Sequence, residues 1–576
     1  MQKTEICAFS LNNEFLNQAR ELQMIVDNKL IKYNPNPKLL GVTLDEKMKF
    51  DKHIENVERK GLKAVEALRH VKEIEKISTK CMLQLYKALV IPQLEYAAQV
   101  WQVGNCAPLE KVQRKGLALC LGTPGTAGLD ALEVEAGVVP LQIRREELSI
   151  RQAARIIRKD DTSFIKVSWN TFVDSEKIEK KISPFGMMLV QMADMTTETE
   201  ISFRNLEKEL NYHTSLQPTR TIPEYWQKLG SSKSRSTEQE LLSRQIIEEK
   251  IDKCTVDTAI AFTDGSCLTN PGPCGAGACI FIPGQEQPEL LKQPVTNRGS
   301  ILLGELIAIK LAIDHVVSVK TNQGNRNFDK LLILSDSQSA IGHLNLGWEP
   351  NAHKYSILDV KASIKNLEKM GTSVEIAWTP GHADIKGNES ADKLAKEATK
   401  EAKELGEDEL PAVTTLQDVK MAARKYGMQK WQNKWDWSET GRHLYELRPK
   451  VDFKDKHIYK TTIGEKIITQ LRTGYVFLNE YLHSCRWGIT ESPNCQCGEK
   501  ETVHHYLLHC PKYEIQRESL RRSLFSMCGI THLDAPTLLE ARKKEEDEIY
   551  YNRDTILDIL ESYVVDSQRF ATVYKF

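Results

Sequence analysis

Four acidic residues occupy positions where a charge is structurally expensive. Asp264 closes an apolar run over 258–263, and Glu305 opens a strongly apolar helical stretch. Asp336 ends the segment Leu331-Leu332-Ile333-Leu334-Ser335, and Asp392 lies on the helix after Pro380-Gly381-His382. A carboxylate in such surroundings loses its hydration, and several brought together raise one another's pKa. A hard divalent cation such as Mg²⁺ relieves both effects, because it prefers oxygen ligands. Two such ions about 3.5–4 Å apart activate a water and stabilise the leaving oxygen of a phosphodiester. Taken singly, each acid reads more plainly as a turn residue or part of a solvated helix face. A second cluster is chemically different. Cys495-x-Cys497, His505 and Cys510 supply soft or borderline ligands at intervals of one, seven and four residues. A tetrahedral structural Zn²⁺ takes such a set, although the first interval is tighter than usual. His504, His509 and Cys485 are rival ligands, and buried free cysteines are the alternative.

Positioning the acids requires a sheet whose strand ends converge on one crevice. Short apolar or glycine-rich runs at 258–263, 272–284 and 290–296 read as three strands, followed by a helix at 305–319. The fully apolar strand 331–334 is the kind buried inside a sheet. A helix at 354–369, a strand at 374–378 and a helix at 388–403 complete an α/β pattern with a mixed sheet. Before it, 50–71 and 78–89 have helical periodicity, and Ser231-Ser232-Lys233-Ser234 reads as an exposed linker. Beyond 410 the chain is helical again, apart from the Cys/His cluster.

The segments Thr263-Asp264-Gly265-Ser266, Asn270-Pro271-Gly272-Pro273 and Gly275-Ala276-Gly277 resemble the opening of a type 1 RNase H domain. So do Gly304-Glu305-Leu306, Ser335-Asp336-Ser337, Trp378-Thr379-Pro380-Gly381-His382 and Gly387-Asn388-Glu389-Ser390-Ala391-Asp392, all in family order across about 256–400. The resemblance implies an RNase H-like mixed five-stranded sheet with flanking helices. It implies two Mg²⁺ ions, with Mn²⁺ as a substitute, held by Asp264, Glu305, Asp336 and Asp392. Glu305 would approach the ribose 2′-hydroxyl that separates RNA from DNA. His382 would move protons or assist product release, and Asn270 and Gln338 would contact the hybrid's minor groove. The plainer readings are a loop histidine with a structural hydrogen bond and two turn or helix-start residues. Two departures bear on substrate grip. Ile301-Leu302-Leu303 stands where many cellular members carry paired asparagines, and Gly347-Trp348-Glu349-Pro350 replaces a basic-aromatic protrusion. Weak hybrid binding by residues 256–400 alone is the expectation.

The N-terminal third resembles the last palm strands and thumb of a non-LTR retrotransposon reverse transcriptase. The motifs are Lys3-Thr4-Glu5, Leu40-Gly41-Val42-Thr43-Leu44-Asp45, His53-Ile54, Leu94-Glu95-Tyr96-Ala97-Ala98 and Trp101. Asp160-Asp161, the chain's only Asp-Asp pair, has a helix-like context and no aromatic-x-Asp-Asp signature, so no polymerase activity is expected. The helices are read as either an inert remnant or a duplex grip. The context of Cys497-Gly498, Glu501-Thr502, Leu507-Leu508 and Cys510-Pro511 resembles the knuckle closing such polyproteins, favouring zinc. Lys425-Tyr426, Lys430-Trp431, Lys434-Trp435 and Trp437 interleave bases with aromatics, but the spacing of Trp431 and Trp435 favours core packing over base stacking.

The expected organisation is a palm-end and thumb-like remnant at 1–150, a helical connection and linker at 151–254, and an RNase H domain at 255–402. A helical region at 403–485, a zinc-knuckle-like region at 486–530 and a helical tail at 531–576 follow. The 576 residues carry 78 Lys plus Arg against 79 Asp plus Glu, with 27% charged and 41% apolar residues. This balance excludes wholesale disorder and offers no basic signature for nucleic acid. No apolar run approaches a membrane span, and no signal-peptide core opens the chain, so no membrane partner and an intracellular location, nucleus or cytoplasm, are expected. Thirteen cysteines, an odd number, suggest reduced thiols. Oligomeric state is left open. The leading functional expectation is a ribonuclease acting on the RNA strand of RNA–DNA hybrids. The alternatives are a non-catalytic nucleic-acid-binding or assembly remnant, and a DNA nuclease of the same fold, which the Pro380-Gly381-His382 block disfavours.

Overall fold

The computed structural model describes residues 4–26, 28–74, 77–175, 183–199, 201, 203, 205–209, 235–322, 328–451, 457–485, 489–543, 546 and 548–574. Lys3 and the 231–234 linker lie outside the described residues. The chain forms two compact units: Met1–Gln152 with Lys177–Asp194 and Ala423–Phe576, and Ala153–Glu176 with Met195–Ala422.

The second unit is built on β1 (Thr258–Cys267), β2 (Gly272–Phe281), β3 (Glu289–Gly299), α1 (Ile301–Asn322), β4 (Lys330–Ser335), α2 (Gln338–Asn345), α3 (Lys354–Lys369), β5 (Ser373–Trp378) and α4 (Lys386–Glu409). The sheet order is β3-β2-β1-β4-β5, with β1–β3 antiparallel and β1, β4 and β5 parallel, so the expected mixed five-stranded sheet is present. Alternation in β4 explains the layering. Leu331 and Ile333 join Ala259, Ile280, Ile309, Ile313 and Val360 in one core, while Leu332 and Leu334 join Phe262, Cys279, Ala391 and Ile247 in another. Both faces are therefore covered, as parallel strands require. Gly277 keeps α4 close to the sheet, because a Cβ there would lie 2.3 Å from the Ala391 carbonyl oxygen.

Two sequence expectations change. α1 begins at Ile301, so Glu305 sits one turn inside the helix instead of opening it. The cysteines are not all reduced: Cys267 and Cys274 form a disulfide. The two residues oppose one another in the β1–β2 register with Cα atoms 4.4 Å apart, a closeness that spacing along the chain does not reveal.

The first unit is mainly helical, with two small antiparallel pairs, Met24–Val26 with Lys29–Ile31 and Lys38–Leu39 with Val42–Thr43. Asp51–Ile74 and Thr79–Leu89, the latter capped by Ser78, pack with Ala107–Leu121 around Phe50, Leu68, Tyr86, Trp101 and Leu117. Thr462–Thr473, Glu514–Cys528 and Arg553–Asp566 surround a core containing Ile467, Leu471, Tyr506, Leu507 and Leu560. The unit cuts across the linear segments read from sequence because distant residues share cores and charges. Ala131, Val134 and Ile143 pack with Trp431, Trp435 and Leu444. Glu135 is bound by Arg448 and by Arg472, each at 2.7 Å. Trp431 and Trp435 are thus core residues, whereas Trp437 is 88% exposed. Among the described residues no helix is long and apolar enough to cross a membrane.

Candidate active site

Asp264 lies on β1 beyond its parallel pairing with β4, at the strand ends where ligands bind in such sheets. Gly265 follows it, and a Cβ there would fall 2.2 Å from the Glu305 backbone nitrogen. That close approach lets the α1 turn bearing Glu305 press against β1. Asp336 leaves the end of β4, where its carbonyl accepts a hydrogen bond from the Trp378 ring N–H at 3.1 Å. The three acids come together: each offers a ligand atom within 4.8 Å of the others'. Asp392, on α4, is near enough to Asp264 to raise its carboxyl, and pairs with Lys396 at 2.6 Å.

Electrostatically the cluster is starved of cations. Burial pushes the Asp264 carboxyl up to about 8, helped by the charges of Asp336 and Asp392, with Lys396 acting in the opposite direction. Burial also raises Glu305, assisted by Asp264 and Asp336. It raises Asp336 as well; His382 opposes that shift and Asp392 adds to it. Glu305 Oε2 is buried with no hydrogen-bond partner. An all-oxygen donor set with an orphaned, buried carboxylate oxygen fits a hard divalent cation.

His382 is exposed at the mouth of the site, and with Glu389 and Asp392 it forms a second group whose ligand atoms lie within 4.8 Å. Its loop carries two non-glycine residues in the left-handed region, His382 (φ 52°) and Asp384 (φ 58°). The helix Thr237–Asp252 and the residue just before its cap brace that loop. Arg235 donates to the Gly381 carbonyl at 2.9 Å and Arg244 Nε to the Ala383 carbonyl at 2.7 Å. Arg244 also pairs with Asp384 at 2.9 Å. Glu389 was visible in the sequence inside the Gly387–Asp392 block, but nothing in the sequence marks Arg235 or Arg244. Asn270 is exposed, and its side-chain oxygen accepts from the Ile301 N–H at 3.3 Å, capping α1. Gln338 is exposed on the first turn of α2, after the cap Ser337.

In the first unit Cys495, Cys497, His505 and Cys510 form one group with ligand atoms within 4.8 Å. Cys495 and Cys510 sulfurs are 3.6 Å apart, close to the spacing of two thiolates about 2.3 Å from one tetrahedral zinc. Cys497 Sγ and His505 Nε2 are 3.2 Å apart, and Glu499 engages His505 Nδ1 at 3.1 Å, the arrangement that orients a metal-binding imidazole. This donor set fits Zn²⁺. His504 and His509 stack on one another with ring centroids 5.5 Å apart, outside the group, and Cys485 is outside it as well. Asp160 caps Thr162 in an exposed turn and Asp161 pairs with Lys208, and neither belongs to a metal-binding group.

The RNase H family model matches residues 257–400. Ribonuclease H of Nitrosomonas eutropha is 31% identical over 147 residues, covering 24% of this chain and 86% of that protein. The "Retrovirus-related Pol polyprotein from type-1 retrotransposable element R1" of Bradysia coprophila is 36% identical over 89 residues, 15% of this chain and 8% of that protein. Among solved structures, RNase H1 of Halobacterium salinarum aligns with 25% of this chain and 99% of its own, at 22% identity and a TM-score of 0.21. Through residues 257–400 the chain belongs to the ribonuclease H family of enzymes.

Proposed function

We propose that residues 257–400 hydrolyse the RNA strand of RNA–DNA hybrids internally, leaving 3′-hydroxyl and 5′-phosphate ends. The observation that carries this reading is the buried Asp264–Glu305–Asp336 triad with its partnerless Glu305 oxygen. Asp264, Glu305, Asp336 and Asp392 would hold two Mg²⁺. Bound Mg²⁺ supplies Lewis acidity to the scissile phosphate and a nucleophilic water at neutral pH. Glu305 faces the ribose 2′-hydroxyl, which restricts cleavage to RNA. His382, at the exposed mouth, carries a proton on an imidazole nitrogen to or from solvent as product leaves. Asn270 and Gln338, both exposed, contact the minor groove. Cleavage of a labelled hybrid dependent on Mg²⁺, with duplex DNA left intact, is the expected result. Absence of cleavage on every substrate would leave the non-catalytic binding reading.

Because Arg244 holds the loop at Ala383 and Asp384, directly after His382, Arg244→Ala is expected to lower kcat about 3–10-fold with KM for hybrid unchanged. Arg244→Lys should recover part of the loss. A double-mutant cycle with His382→Ala should be non-additive, since both changes act on one group. Additive effects would show that the brace is only structural.

The wider reading is a chain derived from a retrotransposon polyprotein without a polymerase site, with a thumb-like N-terminal region and a zinc knuckle. The similarity to the Bradysia polyprotein, the geometry of the Cys/His group and the burial of His53 and Trp101 among the thumb-like motifs support it. Native mass spectrometry of freshly purified protein should find one zinc, and Cys510→Ser should lose it. Because structural zinc contributes folding energy directly, that variant should also melt the 495–530 region at lower temperature. A zinc-free wild type would overturn the assignment.

A further inference from the structure

Two helix faces in the first unit enclose a cavity of about 560 Å³. Arg144, Glu147 and Arg151 lie on one face of Leu141–Ile157, and Arg424, Met428 and Trp431 on one face of Leu416–Asp436, at helical spacings that keep each set together. Lys87 closes the cationic side, and Val138, Val139 and Met428 form an apolar wall. Glu147 is the single acid among the lining residues. It pairs with Arg151 at 3.3 Å, while Glu95 binds Arg144 at 2.9 Å. The three lining arginines are thus served by two carboxylates, in a chain whose overall net charge is −1.

The donors are not all used. Arg151 Nε is buried with no hydrogen-bond partner. Arg424 is exposed and makes no ion pair or hydrogen bond among the described residues. Burial raises the Glu147 carboxyl despite Arg151, Arg144 and Arg424 nearby, so the internal acid is a poor permanent counter-charge for them. Surplus guanidinium groups beside an apolar wall suit a phosphodiester with its sugar and base, since arginine forks match phosphate oxygens. The size lies within the range of ligand-binding clefts.

We propose that this cleft binds the phosphodiester backbone of a nucleic-acid strand, independent of sequence. It supplies the grip that the nuclease segment lacks where Gly347-Trp348-Glu349-Pro350 replaces a basic protrusion. Two footholds on one tethered chain raise the occupancy of the weaker one without any new contact there. The proposal rests on nucleic acid being the substrate class, as argued above.

The test uses the full chain in magnesium-free buffer, so that binding is read without cleavage. Fluorescence anisotropy of a labelled hybrid and a single-stranded oligonucleotide is followed across a salt series. Arg424→Glu is expected to weaken both about 5–20-fold, and Arg424→Gln to reduce the slope of log affinity against log salt by about 0.7–0.9, one phosphate's share. Lys87→Glu, also exposed, should act in the same direction. Trp437→Ala, exposed elsewhere, should change nothing. A millimolar nucleoside monophosphate should leave the oligonucleotide bound. Displacement by it would assign the cleft to strand ends and overturn the backbone assignment. Unchanged affinity and slope in both charge reversals, or no binding by the wild type, would overturn the proposal. If cleavage fails but affinity still depends on Arg424, the nuclease reading falls and this one stands.

Discussion

Asp264→Asn is expected to abolish hybrid cleavage, by at least about 10³-fold, and to make the magnesium-free protein more stable at pH 8. The first effect follows from position. Asp264 lies within one ion's reach of Glu305 and Asp336 and feels the charge of Asp392 as well, so its loss breaks any shared metal site. Several kcal/mol of transition-state charge stabilisation are then forfeited, and about 1.4 kcal/mol corresponds to each factor of ten. The second effect follows from the sign of the shift. Asp264 has an ordinary carboxyl value of 3.8 when unfolded and is pushed up to about 8 by burial, then by Asp336 and Asp392. An acid raised on folding has its full stability below the unfolded value, and loses it as pH climbs through the folded value. Magnesium-free wild type should therefore lose stability between about pH 4 and 8. The asparagine variant, with no charge to hold there, should lose less. Thermal unfolding across that range without added Mg²⁺ should show the variant melting higher at pH 8, with the two converging near pH 4. Added Mg²⁺ should raise wild type more than the variant, because binding stabilises the state that binds. A variant less stable than wild type at every pH would contradict the account of the cluster as unsatisfied like charge.

Arg472→Met should destabilise the first unit by about 3–5 kcal/mol, the cost of breaking a buried ion pair and leaving a charge behind. Arg472 is 2% exposed and donates to Glu135 through both Nε and Nη2, and to the Tyr459 hydroxyl. Arg448 pairs with Glu135 at 2.7 Å and with Glu540 at 2.8 Å. Two arginines and two glutamates balance. Removing one arginine leaves a net buried negative charge. Glu540 is already held above the ordinary carboxyl value by burial, with Arg448 and Arg472 opposing that shift. Without Arg472 it should rise further, and because a raised acid loses its stability as pH increases, the deficit should be larger at pH 8 than at pH 5. Chemical denaturation of the two proteins at both pH values measures this. Pairing Arg472→Met with Glu135→Gln should restore part of the loss, since matched removal of opposite charges costs less than orphaning one. An equal deficit at both pH values would show that packing, not charge, carries the effect.

Much of the nuclease was legible along the chain. The run Leu331 to Leu334 announced a central strand, and the strand at 373–378 and helix at 354–369 appear where periodicity places them. These are local properties, because hydrophobic period and length select the element before any long-range contact forms. The motif order likewise named the acids. It did not show that Glu305 sits a turn inside α1, because the helix start is decided by Ser300 and by the Asn270 cap reaching across from another loop. The spacing of Trp431 and Trp435 alone marks the pair as core, but their partners, Ala131 and Ile143, come from the N-terminal third of the chain.

The residue types, their spacing and the strand-end placement of Asp264 and Asp336 were determined by the sequence itself, and with them the family and the kind of chemistry. Only the tertiary structure decided which groups meet. It paired Cys267 with Cys274, brought Arg235 and Arg244 to the His382 loop, and gathered Cys495, Cys497, His505 and Cys510 within one metal's reach. It also drew residues before 152 and after 423 into one helical unit. The physical reason is the range of the forces. Backbone period and turn chemistry act between neighbours, whereas ion pairs, metal ligation and core packing join residues whose separation along the chain carries no information about their distance in space.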